Sequence, residues 1–206
     1  MIGSLDPRSR SPAGRPRGPR RAETLALAVA ALTLPAAACG SGGGETGEAA
    51  RSSRPPAMGE RLPAYAAPTL EGDTVRLRDY RGRALLFNVW ATWCPACERE
   101  MPSLQKLHEE LRPSGLAVVG VSIDGGPGSE GTVREFLAEY GITYTVLHDP
   151  RSRIMDAYRI VGIPTTYLAD REGRLVERWI GEVDFGASEV RRAVRRALGG
   201  GGRGTR

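Results

Sequence analysis

The chain runs through seven residues, Ala84 to Trp90, that are apolar except for Asn88, and then reads Trp93-Cys94-Pro95-Ala96-Cys97. The run suits a buried strand, and the apolar positions that follow, Met101, Leu104, Leu107 and Leu111, have helical spacing. The two cysteines therefore fall where a strand ends and a helix begins. A helix N-terminus carries partial positive charge and unpaired N–H groups, which favour a thiolate over a thiol. Thiolate is the form that attacks disulfides, and a second thiol one helical turn away can resolve the mixed disulfide. Dithiol redox chemistry is the leading reading of this stretch.

Two blander readings stand beside it. A Cys-x-x-Cys pair can be half of a zinc site, which needs four ligands; the other candidates are Cys39, His108 and His148, scattered in unlike contexts. The pair can also be a structural disulfide, although so short a loop gains little from closure.

Charge is divided unevenly along the 206 residues. Residues 1–38 hold six arginines against Asp6 and Glu23, and residues 191–206 hold six arginines and no acid. The body, 39–190, is net acidic, so the basic pI of about 9.5 reflects the tails and does not point to nucleic acid. The first tail has the order of a secretory signal, residues 1–38: arginines, an apolar stretch from Leu25 to Leu34, then small residues up to Ala38. That apolar stretch is short for a membrane span, which needs about 20 residues. Cys39 follows three alanines and precedes Gly40 to Gly44, which resembles a bacterial lipoprotein site; ordinary cleavage or retention as a short anchor are the alternatives. Lipidation would leave only Cys94 and Cys97 in the mature domain.

Residues 39–62 are rich in Gly, Ser, Pro, Glu and Arg and predict a flexible tether. A folded domain is expected over 63–198. A hairpin is predicted around residues 70–75, strands over 84–90 and 116–122, and a helix over 95–112. Thr132 and Glu135 have capping-box spacing and predict the start of a helix that stops at Gly141. A strand at 144–147, a short helix at 151–159, two strands flanking the turn 170–173 and a helix over 185–198 complete the pattern. Val190, Val194, Ala197 and Leu198 form the apolar face of that last helix, and a disordered tail is expected over 199–206. Strands alternating with helices predict an α/β fold: a central, mostly parallel sheet with an antiparallel C-terminal hairpin.

Three blocks carry a family resemblance: Phe87 to Cys97, Glu98-Arg99-Glu100-Met101-Pro102, and Val161-Gly162-Ile163-Pro164-Thr165-Thr166. In this order and spacing the chain resembles thioredoxin-fold thiol-disulfide oxidoreductases of the exported TlpA/ResA/CcmG-like branch, within the AhpC/TSA-redoxin superfamily. The resemblance implies a thioredoxin fold with an N-terminal β-hairpin and a βα-type insertion near 130–147. It implies that Cys94 is the exposed nucleophile, Cys97 the buried resolving thiol, and Pro164 a cis-proline facing the pair. Trp93, Pro95, Ala96 and Ile163 would shape the surface on which a client docks. Glu100 stands where this branch often has an acid that exchanges a proton with the second thiol; the bland reading is an acid favoured by the helix dipole. The redox centre would be the dithiol itself, with no bound cofactor and no metal. Implied partners are client disulfides, such as those of apocytochrome c or copper-assembly proteins, and an upstream membrane thiol reductant. The expected protein is a monomer on the extracytoplasmic face of the membrane.

Two rival functions are legible. A peroxiredoxin-like peroxidase needs Thr or Ser three residues before its reactive cysteine and Pro four further back; Ala91 and Phe87 occupy those positions. A copper-binding chaperone of related fold uses a three-residue spacer and a downstream histidine; here the spacer is two, and His148 is the available histidine.

Overall fold

The apolar run is β3 (Ala84–Trp90), buried at every position. The computed structural model describes residues 54–199, so the expected signal segment over 1–38, Cys39, the expected tether up to residue 53 and the expected tail from residue 200 lie outside it. Period-two alternation sends the side chains of β3 to opposite faces. Leu86 and Trp90 join a core with Met101, Leu104 and Leu107, whereas Leu85, Phe87 and Val89 join a second core with Tyr158 and Tyr167. Asn88 has the parity of Leu86 and Trp90, and so faces the helix that carries the cysteines.

That helix is α1 (Pro95–Leu111), with Cys94 as N-cap and Pro95 in the first turn, where its missing N–H costs nothing. A 3-10 turn leads to β4 (Leu116–Ser122), parallel to β3 with Ala84 opposite Leu116 and Trp90 opposite Ser122. Then come α2 (Ser129–Glu139), β5 (Thr145–His148), α3 (Arg153–Tyr158), β6 (Thr165–Ala169), β7 (Leu175–Ile180) and α4 (Ser188–Leu198). Before β3, a small antiparallel pair joins β1 (Ala66–Pro68) to β2 (Thr74–Arg76).

The main sheet has the order β5-β4-β3-β6-β7. β4 and β5 run parallel to β3, β6 runs against it, and β7 runs against β6. Of these five strands β6 alone is reversed, which gives the thioredoxin-like α/β fold with a mixed sheet.

Several boundaries differ from the sequence reading for local reasons. The first arm of the hairpin lies upstream, at residues 66–68, because Thr69 and Asp73 close the turn: Thr69 N–H donates to Asp73 O at 2.8 Å. The Thr132–Glu135 pair caps nothing. α2 begins at Ser129 behind Gly128 (φ 79°), and Thr132 N–H already donates to Gly128 O at 3.2 Å. Ser129 holds that start in place through a contact of its hydroxyl with His148 Nε2 at 3.2 Å. Residues 59–62, read as tether, bridge to 173–175, with Gly59 N–H on Leu175 O and Leu62 N–H on Gly173 O. α4 starts at Ser188 rather than near 185, because the amides of Gly181, Val183 and Phe185 are bonded to Pro164, Glu100 and Ser103 instead.

Candidate active site

Cys94 and Cys97 form a disulfide across 5.2 Å between their Cα atoms. Both sulfurs lie at the N-terminus of α1, where Cys97 N–H donates to Cys94 Sγ at 3.2 Å. This donor and the aligned peptide dipoles behind it would stabilise negative charge on Cys94 once the disulfide opens. Cys97 is wholly buried and Cys94 is only 6% exposed. The expectation of an exposed Cys94 is therefore corrected in degree: the loop before β6 folds over it, with Ile163 O 3.9 Å from its sulfur. The bond between Ile163 and Pro164 is cis.

The strand-to-helix link is held by a buried acid that sequence reasoning missed. Asp124, just after β4, accepts the Thr92 N–H at 3.1 Å and the Thr92 hydroxyl at 2.6 Å. Its other oxygen accepts the Ser122 hydroxyl at 2.8 Å. A single side chain thus fixes the backbone two residues before Cys94. Its only sequence signal is an acid at the C-terminal end of a parallel strand, a common place for functional groups.

Behind the disulfide, Glu100 is 1% exposed. Its Oε1 accepts from Asn88 Nδ2 at 2.7 Å and its Oε2 from Val183 N–H at 3.0 Å. Asn88 Nδ2 also donates to Thr166 Oγ1 at 2.9 Å, while Asn88 Oδ1 is buried without a hydrogen-bond partner. Burial raises the Glu100 carboxyl to about 7; the bonds from Val183 and Asn88 pull it back, and the charge of Glu182 pushes it up again. A carboxyl poised near neutrality beside a redox pair can take or give a proton under ordinary conditions. Neighbouring bonds hold the covering segment: Phe185 N–H donates to Ser103 Oγ at 3.2 Å and Gly181 N–H to Pro164 O at 2.8 Å.

Around the disulfide, Trp93 is 65% exposed, Pro95 is exposed, and Ala96 and Ile163 are half-buried. Two further apolar side chains were not foreseen: Val161, 91% exposed, and Ile180, 62% exposed and paired with Thr165 next to Pro164. An exposed isoleucine closing a strand looks like ordinary edge sequence, and only the pairing of β7 with β6 brings it to this rim.

The positions that bear on the rival functions are otherwise engaged. Ala91 is buried and has no hydroxyl to offer a peroxide, and Phe87 stacks on Tyr167 with ring centres 4.8 Å apart. His148 Nε2 lies 3.0 Å from Asp124 O and its Nδ1 lies 3.9 Å from the carboxylate of Glu130. Among the described residues no group of three or more His, Cys, Asp or Glu is placed to hold a metal ion.

Comparison with known proteins agrees with this geometry. Residues 58–178 match the model of the AhpC/TSA family. The thiol-disulfide oxidoreductase ResA of Bacillus thuringiensis (strain Al Hakam) is 31% identical over 125 residues, 61% of this chain and 70% of that protein. ResA of Halalkalibacterium halodurans is 34% identical over 119 residues, 58% of this chain and 66% of that one. A structure from Chlorobium tepidum described as a thiol:disulfide interchange protein DsbE superposes with TM-score 0.64 at 27% identity, covering 69% of this chain and 99% of that one. The thioredoxin domain of a thiol-disulfide oxidoreductase of Bacteroides vulgatus gives TM-score 0.59 at 26% identity, covering 69% and 98%.

Proposed function

The chain belongs to the AhpC/TSA family, and from that membership we propose that it is an extracytoplasmic, membrane-tethered reductant of client disulfides. It is a thiol-disulfide oxidoreductase of the ResA and DsbE type. The observation that carries the finer reading is the pairing of a helix-capping sulfur, Cys94, with a buried carboxyl behind the second sulfur, Glu100.

In the reduced enzyme the Cys94 thiolate attacks one sulfur of a client disulfide. The Cys94–client bond forms and the client's other sulfur leaves as a thiolate, which takes up a proton. Cys97 then gives up its proton, for which Glu100 is the acceptor, and attacks Cys94 Sγ. The mixed disulfide breaks, the client leaves with both cysteines reduced, and the Cys94–Cys97 disulfide described above is the product. A membrane thiol reductant must return two electrons per cycle, because an oxidising compartment would otherwise leave the disulfide in place. Trp93, Ala96 and Ile163, joined by Val161 and Ile180, offer an apolar rim on which an extended client segment rests. Apocytochrome c before haem attachment and cysteines of copper-assembly proteins are the proposed clients. The leader of residues 1–38 and Cys39 support export and lipid attachment, with the domain acting as a monomer.

Cys97→Ser tests the chemistry. It should accumulate mixed disulfides between Cys94 and its clients that mass spectrometry can identify, whereas Cys94→Ser should accumulate none. Equal yields from both variants would refute the assignment of Cys94 as nucleophile.

A further inference from the structure

The described residues carry as many basic as acidic side chains, yet the arrangement is polar. The end of the sheet opposite the disulfide collects arginines. Arg83 precedes β3, and Arg78 and Arg81 lie on and after the 3-10 turn before it. Arg171 and Arg174 come from the β6–β7 turn, which the Gly82 N–H to Arg171 O bond of 2.8 Å brings to the same end. α1 and α4 deliver their C-termini there, with Arg112 after α1 and Arg195 and Arg196 in the last turn of α4. The ion pair of Arg191 with Glu110 keeps the two helices running side by side. All of these except Arg191 are exposed.

Three acids at this end are bound locally, and Glu172 of the same turn stands exposed among the arginines. Asp79 accepts from Arg76 N–H, Asp170 accepts from the backbone of Glu172 and Arg174, and Glu60 pairs with Arg54. A cavity of about 210 Å³ opens among the arginines, lined by Leu62, Leu77 and Leu85 together with Arg78, Arg81 and Arg83, and by Asp170, whose carboxylate is engaged by the turn backbone. An apolar lining beside guanidinium groups suits a phosphodiester with its glycerol. The same end receives the start of the described chain, since residues 59–62 bridge to 173–175 and Arg54 pairs with Glu60; the apolar stretch 25–34 precedes it in the sequence.

We infer that this arginine-rich end is a seat for anionic phospholipid headgroups, which holds the domain upright on its own membrane with the Cys94–Cys97 disulfide facing away. The inference rests on the tethered reading above, because it is the tether that brings this end to the bilayer. The seven residues of β3 separate the seat from the disulfide by roughly 20 Å, so headgroup binding leaves the docking rim clear for a client.

The test is hydrogen–deuterium exchange of the full chain in lipid nanodiscs, made of phosphatidylcholine alone or with phosphatidylglycerol added. Amides of residues 77–83 and 170–174 should exchange about fivefold or more slowly in the anionic discs, the order expected for one arginine at a charged surface. Residues 91–97 should be unchanged. The difference should vanish in about 0.5 M salt, which shortens screening to a few ångströms. It should also vanish in Arg78→Glu/Arg81→Glu and persist in Arg78→Lys/Arg81→Lys. Equal exchange in both discs overturns this inference and leaves the tether standing, whereas a chain that joins neither disc overturns both. Slowing by a DNA oligonucleotide or an acidic protein but not by lipid, or protection of residues 91–97, also overturns it.

Discussion

Glu100→Gln isolates the pH dependence that burial builds into this fold. In the unfolded chain the carboxyl releases its proton near 4.5, and in the folded chain it holds the proton until about 7. The protonated form is therefore the one the folded state favours. Its contribution is whole below pH 4.5 and is lost as pH rises through 7. The 2.5 units between those values, at about 1.4 kcal/mol each, set the scale. Roughly 2 kcal/mol of stability is gone by pH 6 and about 3 kcal/mol by pH 8.

Gln cannot ionise, so its stability should be flat over that range apart from groups common to both proteins. It can also re-form most of the local bonds. Its oxygen can accept from Val183 N–H, and a half-turn of the Asn88 amide presents the now unpartnered Oδ1 to the new NH2 while turning Nδ2 away from Thr166, whose hydroxyl can then donate to Oδ1. The assay is urea unfolding of the oxidised wild type and variant from pH 4.5 to 8.5, with the difference between them plotted against pH. The variant should gain on the wild type as pH rises, by about 3 kcal/mol in all. Parallel curves, or a wild type that gains on the variant above pH 5, would refute the argument that desolvation governs this carboxyl. In turnover, the same variant should lose the inflection near pH 7 in the rate at which Cys97 releases client.

Asp124→Ala removes the acceptor for Thr92 and Ser122 and leaves their donors near a void. It should cost about 2–4 kcal/mol in urea unfolding, and an unchanged midpoint would mean that Asp124 does not hold the link before Cys94. Gly120→Ala places a Cβ 2.9 Å from Trp90 Nε1 and 3.2 Å from the ring of Tyr144. Both rings are buried, so overpacking should cost about 1–3 kcal/mol; a thermal midpoint equal to that of the wild type would refute the close approach.

Local signals in the sequence located most elements. The run at 84–90, the helical spacing after Pro95 and the turn at 170–173 each depend on neighbours in the chain, and each has its counterpart in β3, α1 and the β6–β7 turn. Contacts between distant residues were not legible in type or spacing; the one foreseen, the Pro164 loop facing the cysteine pair, came from the family resemblance. Val183 meets Glu100 across 83 positions, and Asp124 meets Thr92 across 32. Nothing in the type or spacing of these residues announces such pairings, which topology creates. The Thr132–Glu135 pair shows the opposite error: a sound local motif lost to the Ser129–His148 contact, which starts α2 one turn earlier.

The alternation along β3 ties packing to chemistry through a single phase. One residue added between Ala84 and Asn88 would exchange the side chains sent to the two cores and turn Asn88 away from Glu100 in the same stroke. Length in this strand is thus closed to gradual drift, and the lineage that carries it can vary its letters there but not their number.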